Sequence, residues 1–153
     1  MTTAPRREAA RAVVLDADLR VLLVRYDEDA GFWATPGGSL EPGEDHPTAV
    51  LRELREEVGA LKADLGDQIA ERVVDHPVGG RLVRQIEKYF LVRAAAGDID
   101  PSRATRPDSI RSSRWWTLDE LRSTGETVYP HGLAQLIAGV LADGTPRRPV
   151  ALR

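Results

Sequence analysis

Apolar residues crowd two short runs near the start of the chain, 9–15 and Val21–Tyr26, with the polar segment 16–20 between them. Runs of this length bounded by Asp and Arg predict two strands joined by a turn. From 27 to 37 the pattern becomes polar, and a loop is expected that leads through Trp33 to Pro36-Gly37-Gly38. The period then changes. Val50, Leu51, Leu54 and Val58 recur at helical spacing and share one face of an amphipathic helix. Pro47 suits its first turn, Asp45 or His46 its N-cap, and Gly59 its C-terminal stop. Further on, 70–75 and 82–93 read as strands linked by Pro77-Val78-Gly79-Gly80. The segment 94–109 reads as a long loop, Ile110–Trp116 as a strand, and helices are expected near 118–122 and 132–142. Residues 1–7 and 143–153 are polar, carry Pro and Arg, and are expected to fray. No repeat or linker divides the chain, so one domain over 1–153 is expected. The mixed order of elements predicts an α/β (α+β) fold, a mixed sheet with helices on both faces.

The helix predicted after the glycines carries a second pattern. Glu53, Glu56 and Glu57 stand at i, i+3 and i+4, so they share a face within an arc of about 100°. Like charges at these spacings repel by about 0.2–0.5 kcal/mol per pair. A solvated surface is the ordinary reading of an isolated acidic face. A hard divalent cation is the reading that resolves the repulsion. Carboxylates and a backbone carbonyl together form an all-oxygen donor set, which suits Mg²⁺ or Mn²⁺ better than zinc or copper.

The stretch from Gly38 to Ala60, GSLEPGEDHPTAVLRELREEVGA, settles which reading to prefer. Gly38, Glu44, Arg52, Glu53, Leu54, Glu56, Glu57 and Gly59 fall at the spacing G-x5-E-x7-R-E-U-x-E-E-x-G-U, where U is a bulky aliphatic residue. In this the chain resembles the Nudix hydrolases. Ala60 departs from the pattern at a packing position. Family-like pieces outside the box are LLVRY at 22–26, the approach through Trp33 to Pro-Gly-Gly, and RWWTLDEL at 114–121. The resemblance implies a Nudix-type α/β/α sandwich with a central mixed β-sheet. It implies Mg²⁺-dependent attack of water on the diphosphate of a nucleoside diphosphate linked to a group X. Glu53, Glu56 and Glu57 would be the metal ligands, with the carbonyl of Gly37 or Gly38 as a further one.

Roles for the remaining residues are less constrained. Arg52, four residues before Glu56, either orients the carboxylates or forms a plain surface ion pair. Glu44 either supports the loop through backbone amides or reaches the metal through water. Arg25 is a candidate phosphate contact, or simply a strand-end charge. Trp33 is a candidate stacking partner for a base, or packing. Glu87 shares a strand face with Val83, Gln85, Tyr89 and Leu91. A half-buried carboxylate there needs a partner, either a metal or attacking water, or Arg84 or Lys88 at a sheet edge. Glu53 and Glu87 are the candidate general bases, with Asp108 from the long loop as an outside one. One of Trp115 and Trp116 is expected in the core and the other at a pocket or interface.

Composition narrows the class. Among 153 residues there is no cysteine, which excludes disulfides, thiolate chemistry and Cys-ligated zinc. His46, His76 and His131 lack metal-ligand spacing. A net charge of −3 argues against a general nucleic-acid surface and leaves small phosphorylated ligands open. No segment has the apolar length of a membrane span or a signal-peptide core, so a cytoplasmic protein is expected. Within the family resemblance, a MutT-like nucleoside triphosphate pyrophosphohydrolase is preferred because the chain is short. ADP-ribose or another nucleotide sugar stays open as substrate, as does a non-hydrolytic nucleotide sensor. A homodimer is also left open.

Overall fold

The computed structural model describes residues 5–105 and 110–153. Among these, nine strands form one mixed sheet. β1 (Arg6–Leu15) is its centre. Along one edge β1 runs parallel to β6 (Arg81–Arg93) over its whole length, from Arg6 opposite Arg84 to Leu15 opposite Arg93. Its other edge is shared. Ala9–Arg11 pair with β4 (Gly37–Ser39), and only Leu15 meets β2 (Val21–Tyr26). β1 and β2 therefore splay apart from their common turn. The far end of β2 pairs instead with β3 (Phe32–Ala34), and its outer edge with β7 (Ile110–Trp116). The gap between the two splayed strands is where the candidate site forms.

Alternation along β1 explains the layers. Ala10, Ala12 and Val14 pack with Leu22, Val24, Phe90 and Val92 under α1 (His46–Val58). Val13 and Leu15 point the other way, joining Leu23, Trp33, Tyr89 and Trp116 under α3 (Leu133–Asp143). Two apolar clusters on opposite sheet faces make the sandwich expected from the order of elements. The α1 boundaries are set by its ends. The Asp45 carboxylate accepts the Thr48 amide at 2.8 Å, and Gly59 takes the left-handed conformation at φ 64°. A Cβ at Gly59 would collide with the Asp100 carbonyl. A capping box of Thr117 and Glu120 starts α2 (Leu118–Ser123). No helix among the described residues is long and apolar enough to cross a membrane.

Several expectations need correction. The expected 27–37 loop contains β3 and runs into β4. β5 (Asp64–Val78) is longer than the predicted 70–75, because antiparallel pairing with β6 continues past bulges near Gln68 to a tight turn at Gly79 and Gly80. Neither predicted tail is wholly frayed. Arg6 and Arg7 belong to β1, and β9 (Val150–Leu152) runs parallel to residues 70–72 of β5. β8 (Val128–Tyr129) flanks β3. The 94–105 segment folds back on α1, with the Asp100 amide on the Gly59 carbonyl and the Thr105 amide on the Glu56 carbonyl. Asp108 lies outside the described residues.

Candidate active site

Loop 35–45 and α1 bring the acidic residues together at the sheet gap. Glu53 and Glu57 are buried, on the flank of the apolar stripe rather than away from it, while Glu56 is half-buried. Gly38 lies so close to Glu53 that a Cβ would sit 2.7 Å from Oε1, so only glycine lets the loop approach. Glu57 is held from two sides. Its Oε1 accepts the Gly37 amide at 2.7 Å and its Oε2 the Tyr26 hydroxyl at 3.1 Å. Burial first, and the Glu53 charge next, push the Glu57 carboxyl up to about 7.

Arg52 is the hub of this cluster. Its Nε and Nη2 form a fork on Glu44 at 2.7 and 2.8 Å. Nη1 donates to Glu53 at 3.1 Å and to Glu56 at 3.0 Å, and Nη2 also reaches the Ser39 carbonyl. One guanidinium thus ties the helix face to the loop, which is an orienting geometry and not a lone surface pair. Glu44 accepts the Glu41 amide as well, at 3.0 Å, so it supports the loop. The hydrogen bonds from Arg52 hold its carboxyl down at about 2.

The donor set fits a hard divalent cation. Four carboxylates (Glu44, Glu53, Glu56 and Glu57) face two guanidiniums, Arg52 and Arg11, which leaves negative charge that a cation would balance. Among the described residues no three acidic or His side chains already stand together in a way that could hold a metal ion. Arg52 and the Gly37 amide hold the carboxylates in the present rotamers, so a cation would draw Glu53 and Glu56 away from Nη1. The Gly37 carbonyl accepts Arg11 Nη1 at 2.9 Å.

A cavity of about 580 Å³ opens beside Gly37 and Gly38. Its walls include Arg11, Arg72, Glu87, Tyr26, Phe32 and Tyr129. Tyr26 stacks on Phe32 with centroids 5.1 Å apart, and Tyr129 meets Phe32 edge-on. Glu87 faces this cavity, with partners other than those expected. Arg84 pairs with Asp75 instead, and Glu87 accepts bonds from Arg11, Arg72, Gln85 and Tyr89. Burial alone would raise its pKa; Arg11, then Tyr89, Gln85 and Arg72 outweigh that and bring it below the ordinary range.

Arg25 and Trp33 do not line the cavity. Trp33 alternates with Phe32 and Ala34 along β3, so it turns into the α3-side core and meets Trp116 edge-on at 5.3 Å. Its indole and Arg25 both bond Glu126 Oε1, each at 3.2 Å. Trp116 is core, and Trp115 packs on the α1-side cluster rather than at the cavity. The residues missed in the sequence are Arg11, Arg72, Tyr26, Phe32 and Tyr129. Arg11 alone gave a local signal, a charge within the apolar run AARAVVL.

Comparison with known proteins identifies the family and the fold. The NUDIX domain model matches residues 5–136. An RNA pyrophosphohydrolase of Rhodospirillum rubrum is 30% identical over 125 residues, covering 76% of this chain and 76% of that protein. One from Sphingopyxis alaskensis is 33% identical over 129 residues, covering 76% and 81%. The crystal structure of a MutT protein from Methanosarcina mazei Go1 superposes with a TM-score of 0.67 at 21% identity, over 95% of this chain and 100% of that one. A MutT NUDIX hydrolase from Burkholderia pseudomallei gives 0.60 at 28% identity, over 84% and 95%.

Proposed function

The chain belongs to the Nudix hydrolase family, and from that premise we propose that it hydrolyses nucleoside 5′-triphosphates, with Mg²⁺ held by Glu53, Glu56 and Glu57. Mn²⁺ suits the same oxygen donors. The observation that carries this reading is the acidic face of α1 meeting, at Gly37, a cavity lined by arginines and aromatics. When bound, the cation would neutralise phosphoryl oxygens and activate a water. Water attacks one phosphorus, the anhydride P–O bond breaks, and a nucleoside monophosphate and pyrophosphate leave. Arg52 keeps the helix carboxylates oriented. Glu53, buried against Gly38, takes the proton of the attacking water, because the oxygens of Glu87 are already engaged by four donors. Tyr26 and Phe32 offer a face on which a base can stack.

A second substrate reading is a 5′-triphosphate end of RNA. It is favoured by the relatives at 30% and 33% identity that carry the name RNA pyrophosphohydrolase. The chemistry at phosphorus is the same, and an RNA end differs only in the chain attached beyond its first nucleoside. The test is formation of nucleoside monophosphate from dNTPs, NTPs and ADP-ribose, and of pyrophosphate or phosphate from a triphosphorylated oligoribonucleotide, with Mg²⁺ and an EDTA control. Turnover of dNTPs or NTPs supports the first reading, turnover of the oligonucleotide alone moves the assignment to the second, and turnover of ADP-ribose alone overturns both. No turnover on any of these overturns both.

A further inference from the structure

We propose that Arg11 and Arg72 form a two-pronged receptor for the substrate's phosphate groups, held in place by Glu87 as a positioning residue. The inference rests on the polyphosphate reading above and assigns the part of the site that the helix carboxylates leave undefined.

The three residues come from three neighbouring strands. Arg11 on β1 lies two residues along from Ala9, the cross-strand partner of Glu87 on β6, and Arg72 on β5 is directly opposite Glu87. Glu87 Oε2 accepts Arg11 Nε at 3.2 Å and the Tyr89 hydroxyl at 3.0 Å. Its Oε1 accepts Arg72 Nη1 at 3.1 Å and Gln85 Nε2 at 3.0 Å. A carboxylate offers about four lone-pair directions, so Glu87 has none left for the proton of an attacking water.

The same contacts fix both guanidiniums while leaving each with donors to spare. Arg11 uses Nε and one hydrogen of Nη1, the latter on the Gly37 carbonyl. Arg72 uses Nη1 and Nε, the latter on the Arg153 carbonyl at 3.0 Å. Among the described residues the Nη2 groups of both have no hydrogen-bond partner. Both side chains line the cavity and keep 22% and 24% of their surface. Arg11 and Arg72 share the one carboxylate of Glu87, and Glu28 and Asp29 stand on the wall of the same cavity. A fork with spare, pre-oriented N–H groups matches phosphate oxygens in geometry as well as charge.

Position sets the division of labour. Arg11 touches the Gly37 carbonyl, and the Gly37 amide is bonded to Glu57. The arginine pair therefore borders the carboxylate cluster directly. A polyphosphate can place one phosphate at the cation and the next against Arg11 and Arg72.

The test combines kinetics with binding of a non-hydrolysable α,β-methylene nucleoside triphosphate and its diphosphate counterpart, followed by calorimetry in the presence of Mg²⁺. Arg11→Lys and Arg72→Lys keep the charge and lose the fork. Each is expected to raise KM about tenfold with kcat within about threefold, and to flatten the preference for triphosphate over diphosphate analogue. Glu87→Gln is expected to show the same pattern. Were Glu87 the general base, its Gln variant would lose about 10²–10⁴ in kcat with KM unchanged, and the positioning role would be overturned. Wild-type protein that binds the analogue while both lysine variants bind it as tightly and as selectively would overturn this inference alone. Wild-type protein that neither binds nor hydrolyses any polyphosphate would overturn the functional reading beneath it.

Discussion

Replacing Glu44 by Gln removes the carboxylate on which the Arg52 fork rests, and the consequence should be visible in stability. The wild-type carboxyl is held from its ordinary 4.5 to about 2, chiefly by hydrogen bonds from Arg52. Taken at face value that difference is worth roughly 3 kcal/mol at neutral pH. The neighbouring Glu41, Pro42, Gly43 and Asp45 are exposed, so solvent screening reduces the expectation to about 1–2 kcal/mol. A carboxyl whose folded pKa lies below its unfolded one stabilises fully above the unfolded value and loses that contribution as pH falls toward the folded one. The gap between wild type and Glu44→Gln should therefore be full at pH 6.5. It should shrink by roughly 60–80% at pH 3.5. Urea unfolding followed by tryptophan fluorescence in EDTA-containing buffer at a series of pH values reads both quantities. A gap below about 0.3 kcal/mol at pH 6.5, or one that stays constant down to pH 3.5, would refute the reasoning.

Other consequences are independent of that one. Gly59→Ala forces a Cβ into the left-handed residue that ends α1 and against the Asp100 carbonyl, and should lower stability by about 2 kcal/mol or more in thermal unfolding. Trp33→Phe should cost about 1–3 kcal/mol through lost packing on Trp116 and the lost bond to Glu126, while KM for the nucleotide substrate stays within twofold, because Trp33 belongs to the core. Glu57→Gln should cut kcat by at least about 100-fold in steady-state assays, since loss of a direct ligand exceeds the effect of losing a supporting one. Its circular dichroism should remain that of the wild type.

Legibility in the sequence tracked the range of the physical signal. The cap at Asp45, the apolar stripe and the glycine stop all lie within the segment they define, so α1 could be read almost to the residue. β1, β2 and β6 carry runs of apolar or β-branched residues long enough to announce a strand, whereas β7 offers only Ile110 and the closing Trp115-Trp116. β3, β8 and β9 have two or three residues each, and exist because a neighbouring edge supplies hydrogen bonds, for which no local pattern exists. The same distinction divides the site. Arg52 and the helix glutamates are spaced by one helix and could be placed together beforehand. Arg11, Arg72 and Glu87 meet only through strand register, up to 76 residues apart. Trp33 misled because its position before Pro-Gly-Gly suggested a ligand, whereas strand alternation turns it inward and gives the cavity wall to Phe32.

The measurement closest to the central claim is turnover of the best nucleotide substrate as a function of Mg²⁺ concentration, for wild type and Glu56→Gln side by side. The account predicts saturable, EDTA-sensitive hydrolysis in the wild type and a loss of at least about 100-fold in the folded variant. Hydrolysis that persists in EDTA, or a Glu56→Gln protein with full activity, would contradict the assignment of the α1 carboxylates to a cation.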